Sequence, residues 1–210
     1  MNKKEIQKQR IKGYFIDAAK ELLKGEGLSA VSVRSVADKA GYSYATLYNY
    51  FKDLNDLIFE CVRDFQAECE LTVKNKIKKR KHGFDRIKAT VLAYVQYFTE
   101  YPGVFELFFL ERMGSIGNKQ SISELIYTFL DRLCEPHWEY CITHNKCDRV
   151  SAEKKKQQLR FCVMGILLFY QNRFQPANYK EFTDLLNSQV EEIIGANGQN
   201  KRIERADNEK

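Results

Sequence analysis

A chain of 210 residues that is 44% hydrophobic can bury a core, either as one large domain or as a small domain joined to a larger one. Its formal charge of +6 is modest, so the placement of charge says more than the sum. The longest apolar run, Phe161 to Tyr170, is about half a membrane span, and the charged start MNKKEIQKQR has no apolar stretch behind it, so neither a membrane segment nor a secretory signal is expected.

The expected location is the cytoplasm, with six cysteines present as thiols rather than disulfides. Three prolines and no alternating strand patterns between turn signals predict an all-α fold.

In chain order, residues 5 to 25 predict a first helix with Ile11, Phe15, Ala18, Ala19 and Leu22 on one stripe and Lys4, Lys8 and Lys12 on another. Gly25 and Gly27 end it. Residues 1 to 54 hold ten Lys or Arg against six Asp or Glu, a local excess that suits a polyanionic partner and equally an ordinary solvated surface. The basic N-terminal part of this helix is placed to lie along a phosphate backbone.

The run SVRSVADKAGYSYATLYNYF, Ser32 to Phe51, reads as two short helices joined by a tight turn. Ser32 caps the first, whose stripe is Val33, Val36, Ala37 and Ala40. Gly41 supplies the left-handed residue that ends it, and Ser43 caps the second. The small Ala37 lets the two helices cross closely, with Leu47 and Tyr48 closing the corner, which is helix-turn-helix logic. The second helix is expected to bury Leu47 and Phe51 and to expose Tyr44, Ala45, Thr46, Tyr48, Asn49 and Tyr50.

No Arg or Lys lies between Ser43 and Tyr50 to fork onto a guanine. Base reading then falls to Asn49 on adenine, to Ala45 and the Thr46 methyl on thymine methyls, and to Arg34 as a guanine or backbone clamp, with the tyrosine hydroxyls reaching phosphates. Half-sites rich in A·T are the expected target.

The spaced positions Gly27-Leu28, Ser32-Val33-Arg34, Val36-Ala37, Ala40-Gly41-Tyr42-Ser43, Thr46-Leu47-Tyr48, Tyr50-Phe51 and Leu57 resemble the N-terminal DNA-binding domain of TetR-type transcriptional regulators. The resemblance covers residues 8 to 60. It implies DNA contacts from Arg34, Ser43, Tyr44, Ala45, Thr46, Tyr48, Asn49, Tyr50 and Lys52, the family counterpart of Tyr48 commonly touching phosphate. Leu54 stands where the family usually carries Lys, and Lys52 is the expected substitute.

From Leu54 to Lys79 one long helix is expected, apolar through Leu57, Ile58, Cys61, Val62, Phe65, Cys69, less regularly Leu71, and Val73, and capped by Asp53 or Asn55. It is the natural lever between reader and remainder, and its basic end KNKIKKRK reads as a solvated helix terminus. After His82-Gly83, Phe84 to Thr99 resumes as an amphipathic helix. Pro102-Gly103 marks a turn, Val104 to Met113 is densely aromatic, Gly114 to Gly117 is a looser break, and Ile122 to Leu133 carries another helix. Phe65, Tyr94, Phe98, Phe105, Phe108, Phe109, Arg112 and Tyr127 are the candidate lining of an effector cavity, against the alternative that the aromatics are plain core.

Cys134, His137, Cys141, His144 and Cys147 lie within fourteen residues at spacings that place neighbouring pairs on one helical face. A straight helix separates Cys134 from His144 by about 15 Å, so a tetrahedral metal site needs further ligands, and Pro136 kinks or restarts the helix. Buried small hydrophobes are the competing reading. No metal or other cofactor is expected.

A long helix from Ala152 to Arg173 is charged first and then apolar nearly all round in FCVMGILLFY, and Tyr179 to Ile194 forms the last, amphipathic helix. Gly195 ends the fold, and residues 196–210 read as a disordered tail. The family resemblance implies dimerisation through these last two long helices.

The expected organisation is therefore a three-helix DNA-binding domain over residues 1–53 and a helical ligand-binding and dimerisation domain over 54–195. The expected function is a homodimeric repressor that a small apolar or aromatic effector releases from a palindromic operator. The alternatives are a metal- or thiol-responsive regulator built on Cys134 to Cys147, or a helical scaffold without DNA binding. No Glu-x-x-His pair, nucleophile elbow or phosphate loop points to an enzyme.

Overall fold

The computed structural model describes residues 2–110, 119–172 and 175–195, apart from the side chains of residues 119–122. Arg112, Met113, the break at Gly114 to Gly117, Arg173 and the tail 196–210 lie outside the described residues. Every described regular element is helical: α1 (Lys3–Glu26), α2 (Val33–Ala40), α3 (Tyr44–Leu47), α4 (Leu54–Ile77), α5 (Phe84–Glu100), α6 (Pro102–Phe109), α7 (Lys119–Tyr127), α8 (Phe129–Thr143), α9 (Arg149–Gln171) and α10 (Tyr179–Ile194), with a 3₁₀ turn at Leu28–Ala30. The fold is all-α, with an N-terminal helix-turn-helix followed by a larger helical part.

Local chemistry explains most of the boundaries. Asn2 caps α1 in a reciprocal box with Glu5, so the helix begins two residues before the apolar stripe suggests. Asp53 is the cap of α4: its carboxylate accepts the Asp56 N–H at 2.9 Å, and Asp56 accepts the Lys52 N–H in return. Pro102 opens α6 at the first helical position, where its missing N–H costs nothing. Asp148 and Asn178 cap α9 and α10, and Gly195 closes α10 at φ 80°.

Two boundaries differ from the periodicity. The helix after the aromatic segment is interrupted at Thr128, and α8 then runs on through Pro136 rather than restarting there. Burial of Cys134, His137, Trp138 and Cys141 on both sides of the proline holds the two halves of α8 in place against the lost backbone bond.

The chain forms two compact units. The first comprises Met1–Cys69 and Glu100–Tyr127, the second Glu70–Thr99 and Thr128 onward, so α4 belongs to the first as far as Cys69. In the first unit Phe15, Leu23, Leu47, Phe51, Leu57 and Phe65 are fully buried. There α1 is laced to α4 by ion pairs at matching four-residue spacing: Lys12 with Glu60 at 2.8 Å, Lys20 with Asp64 and Glu68 at 3.1 and 2.6 Å, and Lys24 with Glu68 at 2.7 Å. The second unit buries Tyr94, Phe98, Phe129, Trp138 and Phe182, together with Leu159, Val163 and Leu167 of α9. Its charges are paired too, the buried Lys156 with Glu135 and Glu153, and Arg160 with Asp131.

Among the described residues no helix is long and apolar enough to cross a membrane.

Candidate nucleic-acid interface

The helix-turn-helix is assembled by two caps and a glycine. Ser32 accepts the Ser35 N–H at 3.0 Å, and the Ser35 hydroxyl also donates to the Ala30 carbonyl at 2.8 Å, so the entry to α2 is fixed from both sides. Gly41 adopts φ 76°, ψ 27°, which lets its own N–H reach Asp38 and the Tyr42 N–H reach Ala37. Ser43 then accepts the Thr46 N–H at 3.2 Å and starts α3.

This geometry sorts the side chains into two sets. Val36, Ala37, Leu47 and Phe51 face inward with at most 1% exposure. Tyr44 and Tyr48 face outward at 60% and 53% exposure, joined on the open side by Arg34, Ser43, Ala45, Asn49 and Lys52. Such large aromatics held in water by a buried backing are placed to meet a partner surface. Thr46 and Tyr50 are half-buried: the Thr46 hydroxyl is 2.9 Å from that of Ser43, and the Tyr50 ring lies 6.0 Å from Phe15.

The regular part of the second helix is shorter than its sequence suggests. α3 covers four residues, after which the chain continues in turns, with the Tyr50 and Phe51 N–H groups both bonded to the Leu47 carbonyl. Those tightened bonds keep Tyr48 and Asn49 on the open side.

The structure also adds an element to the site. An open groove of about 580 Å³ runs between the start of α1 and the end of the turn after α3, lined by Lys4, Gln7, Lys8, Asn49 and Tyr50 among others. Lys4 and Lys8 are exposed on its wall, whereas Lys12, on the same sequence stripe, is engaged by Glu60 and lies 5.5 Å from the Phe51 ring. The four-residue spacing of the lysines was visible in the sequence, and the acidic partner that takes the third was not.

The expected effector-lining residues fall in separate units. Phe65, Phe105, Phe108, Phe109 and Tyr127 belong to the first, with Phe105–Phe109 and Phe108–Phe109 ring separations of 5.3 and 5.9 Å and Tyr127 exposed. Tyr94 and Phe98 belong to the second, edge to face at 4.9 Å.

Cys134, His137 and Cys141 are buried, but His144 is exposed and stacks on Tyr140 at 3.9 Å. Burial pushes the Cys141 thiol up to about 11 and Cys134 higher still, so both are neutral thiols at ordinary pH. Among the described residues no three His, Cys, Asp or Glu side chains are grouped to hold a metal ion.

Residues 15–61 match the family model described as bacterial regulatory proteins, tetR family. A helix-turn-helix transcriptional regulator of Haemophilus influenzae, itself uncharacterized, is 27% identical over 132 residues, a stretch covering 62% of this chain and 64% of that relative. Among solved structures, a protein of unknown function from Rhodococcus sp. RHA1 is similar with a TM-score of 0.72 at 14% identity, over 89% of this chain and 94% of that one. The regulator FadR of Bacillus subtilis, solved in complex with stearoyl-CoA, is similar with a TM-score of 0.69 at 16% identity, over 86% and 96%. The family match falls on residues 15–61, which hold the second half of α1 and all of α2 and α3, and marks this N-terminal part as similar to the helix-turn-helix of TetR-type regulators.

Proposed function

We propose that the protein acts as a homodimeric repressor that binds a palindromic operator and is released from it by a small apolar or aromatic effector. The observation that carries DNA reading is the sorting of the second helix, Leu47 and Phe51 inward against Tyr44, Ala45, Tyr48 and Asn49 outward. Asn49, Ala45 and the Thr46 methyl read bases. Arg34, Ser43, Tyr44, Tyr48, Tyr50 and Lys52 hold the backbone, and Lys4 and Lys8 extend that hold.

Dimerisation is supported by an apolar face that the protomer leaves in water. Phe161, Leu168 and Phe169 of α9 recur at spacings of seven and eight, are 57%, 38% and 56% exposed, and are joined by the exposed Leu185 of α10. Gly165 lies on the same face with nothing within 4 Å of a Cβ built there, so another helix can approach closely. A second copy of the chain is the occupant proposed, because two readers related by a two-fold axis match a palindrome.

Effector release rests on the helical part beyond the reader and on the acyl-CoA complex of the similar FadR structure. The aromatic residues Phe65, Phe105, Phe108 and Phe109 of the first unit, with Arg112 and Tyr127 of the same unit's sequence, are the proposed contributors. An effector acts by favouring a conformation in which the two readers no longer match successive grooves, which needs only a few kcal/mol of differential affinity.

Sedimentation of the protein with an operator duplex tests the assembly. Two protomers per duplex is the expected stoichiometry, and a single protomer bound at full affinity contradicts it.

A further inference from the structure

Within the second unit, the last two turns of α4 and one face of α8 border a cavity of about 240 Å³. Its floor is apolar: Val73 and Ile77 from α4 and Phe129 from α8 are themselves buried, and Leu133 joins them one helical turn on from Phe129. The volume sets the size of an occupant, since a cavity of about 150 Å³ takes a single benzene and drug-sized ligands occupy roughly 300–1,000 Å³. One aromatic ring or a short alkyl chain fits.

One buried polar side chain lines this space. His137 is 7% exposed, and its ring makes no hydrogen bond among the described residues. Burying a polar ring without a partner costs free energy, so an unpaired imidazole on a cavity wall marks a place for an occupant's polar atom. Burial above all, with Arg86 and His82 nearby, lowers the pKa of that ring, which is therefore neutral at pH 7 and offers one N–H and one bare nitrogen. A hydroxyl both donates and accepts, so it pairs with whichever nitrogen faces the cavity, whereas a carbonyl suits only the N–H. The charged groups at the mouth are already engaged: Lys74 holds Glu70 at 2.6 Å, and Arg132 stands over the Phe129 ring at 5.5 Å. An ion would give up its water here without gaining a counter-charge, which disfavours carboxylates and amines.

We propose that this cavity binds a small neutral hydroxyl compound, its hydroxyl on the His137 ring and its apolar body on Val73, Ile77, Phe129 and Leu133. Phenols and short aliphatic alcohols share that chemistry and differ in the body. None of these residues is among the effector contacts proposed above. An effect on operator affinity rests on the function proposed there, whereas the binding itself does not.

Phenol, 1-hexanol, toluene and benzoate, each titrated against the full-length protein by calorimetry, test the site. Phenol or hexanol is expected to bind, phenol at least as tightly as the more apolar toluene and more tightly than benzoate. His137→Phe should lower the affinity for phenol relative to toluene by about fivefold or more, the share of one hydrogen bond, and Leu133→Trp should weaken phenol and toluene alike by filling the space. Circular dichroism melts check that both variants fold, and the wild-type ranking of the four compounds decides the proposal even where a variant does not. No binding of phenol or hexanol at millimolar concentration overturns it, as does tighter binding of toluene or benzoate than of phenol, or a phenol-to-toluene ratio that a folded His137→Phe leaves unchanged. Operator binding measured on the same samples separates the two readings: intact DNA affinity with no phenol or hexanol binding removes the cavity proposal alone, and phenol binding without DNA binding removes the regulator alone.

Discussion

Gly103 is pressed against Leu23: a Cβ carbon at position 103 would stand 2.0 Å from the Leu23 carbonyl oxygen and 3.2 Å from the Cα of Gly27. The start of α6 therefore touches backbone at the end of α1, the helix that carries the reader. Because the obstructing atoms are backbone, no rotamer change relieves the clash.

Gly103→Ala is accordingly expected to destabilise the protein by about 1–3 kcal/mol in urea unfolding and to weaken operator binding by shifting α1. Gly13→Ala is the control. Nothing lies within 4 Å of a Cβ there, and replacing a helical glycine should leave stability unchanged or raise it by up to about 1 kcal/mol.

The lacing of α1 to α4 gives a pH signature. Burial opposes the charge of Glu68, but hydrogen bonds from Lys20 and Lys24 outweigh it and hold the carboxyl below its usual 4.5. The contribution is complete above 4.5 and is lost as pH falls through the lowered folded value, because the unfolded chain takes up the proton first. Lys20 is shifted upward by Glu68 and Asp64 against its own burial, so its share is present below 10.5 and is lost as pH rises beyond that. Glu68→Gln should lower stability at pH 7 by about 1 kcal/mol, as for partly exposed pairs, and flatten the acid limb of a stability-versus-pH curve below 4.5, where the wild-type contribution is lost anyway. An unchanged acid limb in the variant would contradict this lacing.

Much of this architecture was legible because it rests on local chemistry. Ser32, Gly41 and Ser43 act where their types and spacing place them, and Leu47 and Phe51 are buried as a four-residue spacing requires. What the sequence hid is tertiary. Lys12 shares a stripe with Lys4 and Lys8, yet only the position of Glu60 on another helix takes it away from the groove. The interruption at Thr128 carries no proline or glycine to announce it, while Pro136, which does announce a break, lies inside α8 among buried neighbours. Spacing alone groups His137 with Cys134 and Cys141, whereas its place on a cavity wall depends on α4 packing beside α8.

Phosphate and base contacts separate by salt. The double variant Lys4→Ala with Lys8→Ala should reduce the slope of log affinity against log salt by about 2 and leave sequence preference intact, as loss of two phosphate contacts requires. Asn49→Ala should instead relax preference at one base pair at a cost of about 1–3 kcal/mol with the slope unchanged. Fluorescence anisotropy over a salt series checks both.

The exposed face of α9 predicts a separable defect. Phe161→Glu with Phe169→Glu places charge on a surface that is solvated in the protomer, so the fold should survive while the dimer dissociates. Operator affinity then falls by at least about tenfold, since each reader binds alone. Sedimentation velocity and circular dichroism together check the outcome, and a dimer that persists would place the contact elsewhere.

The most direct test of the account is selection of bound duplexes from a random DNA library at physiological salt with the full-length protein. Enrichment of one palindrome whose half-sites are rich in A·T is expected, because Asn49, Ala45 and Thr46 are the proposed base readers and no Arg or Lys lies between Ser43 and Tyr50. Failure to enrich any sequence with folded, dimeric protein would contradict it, and enrichment of GC-rich sites would contradict the assignment of the reading residues.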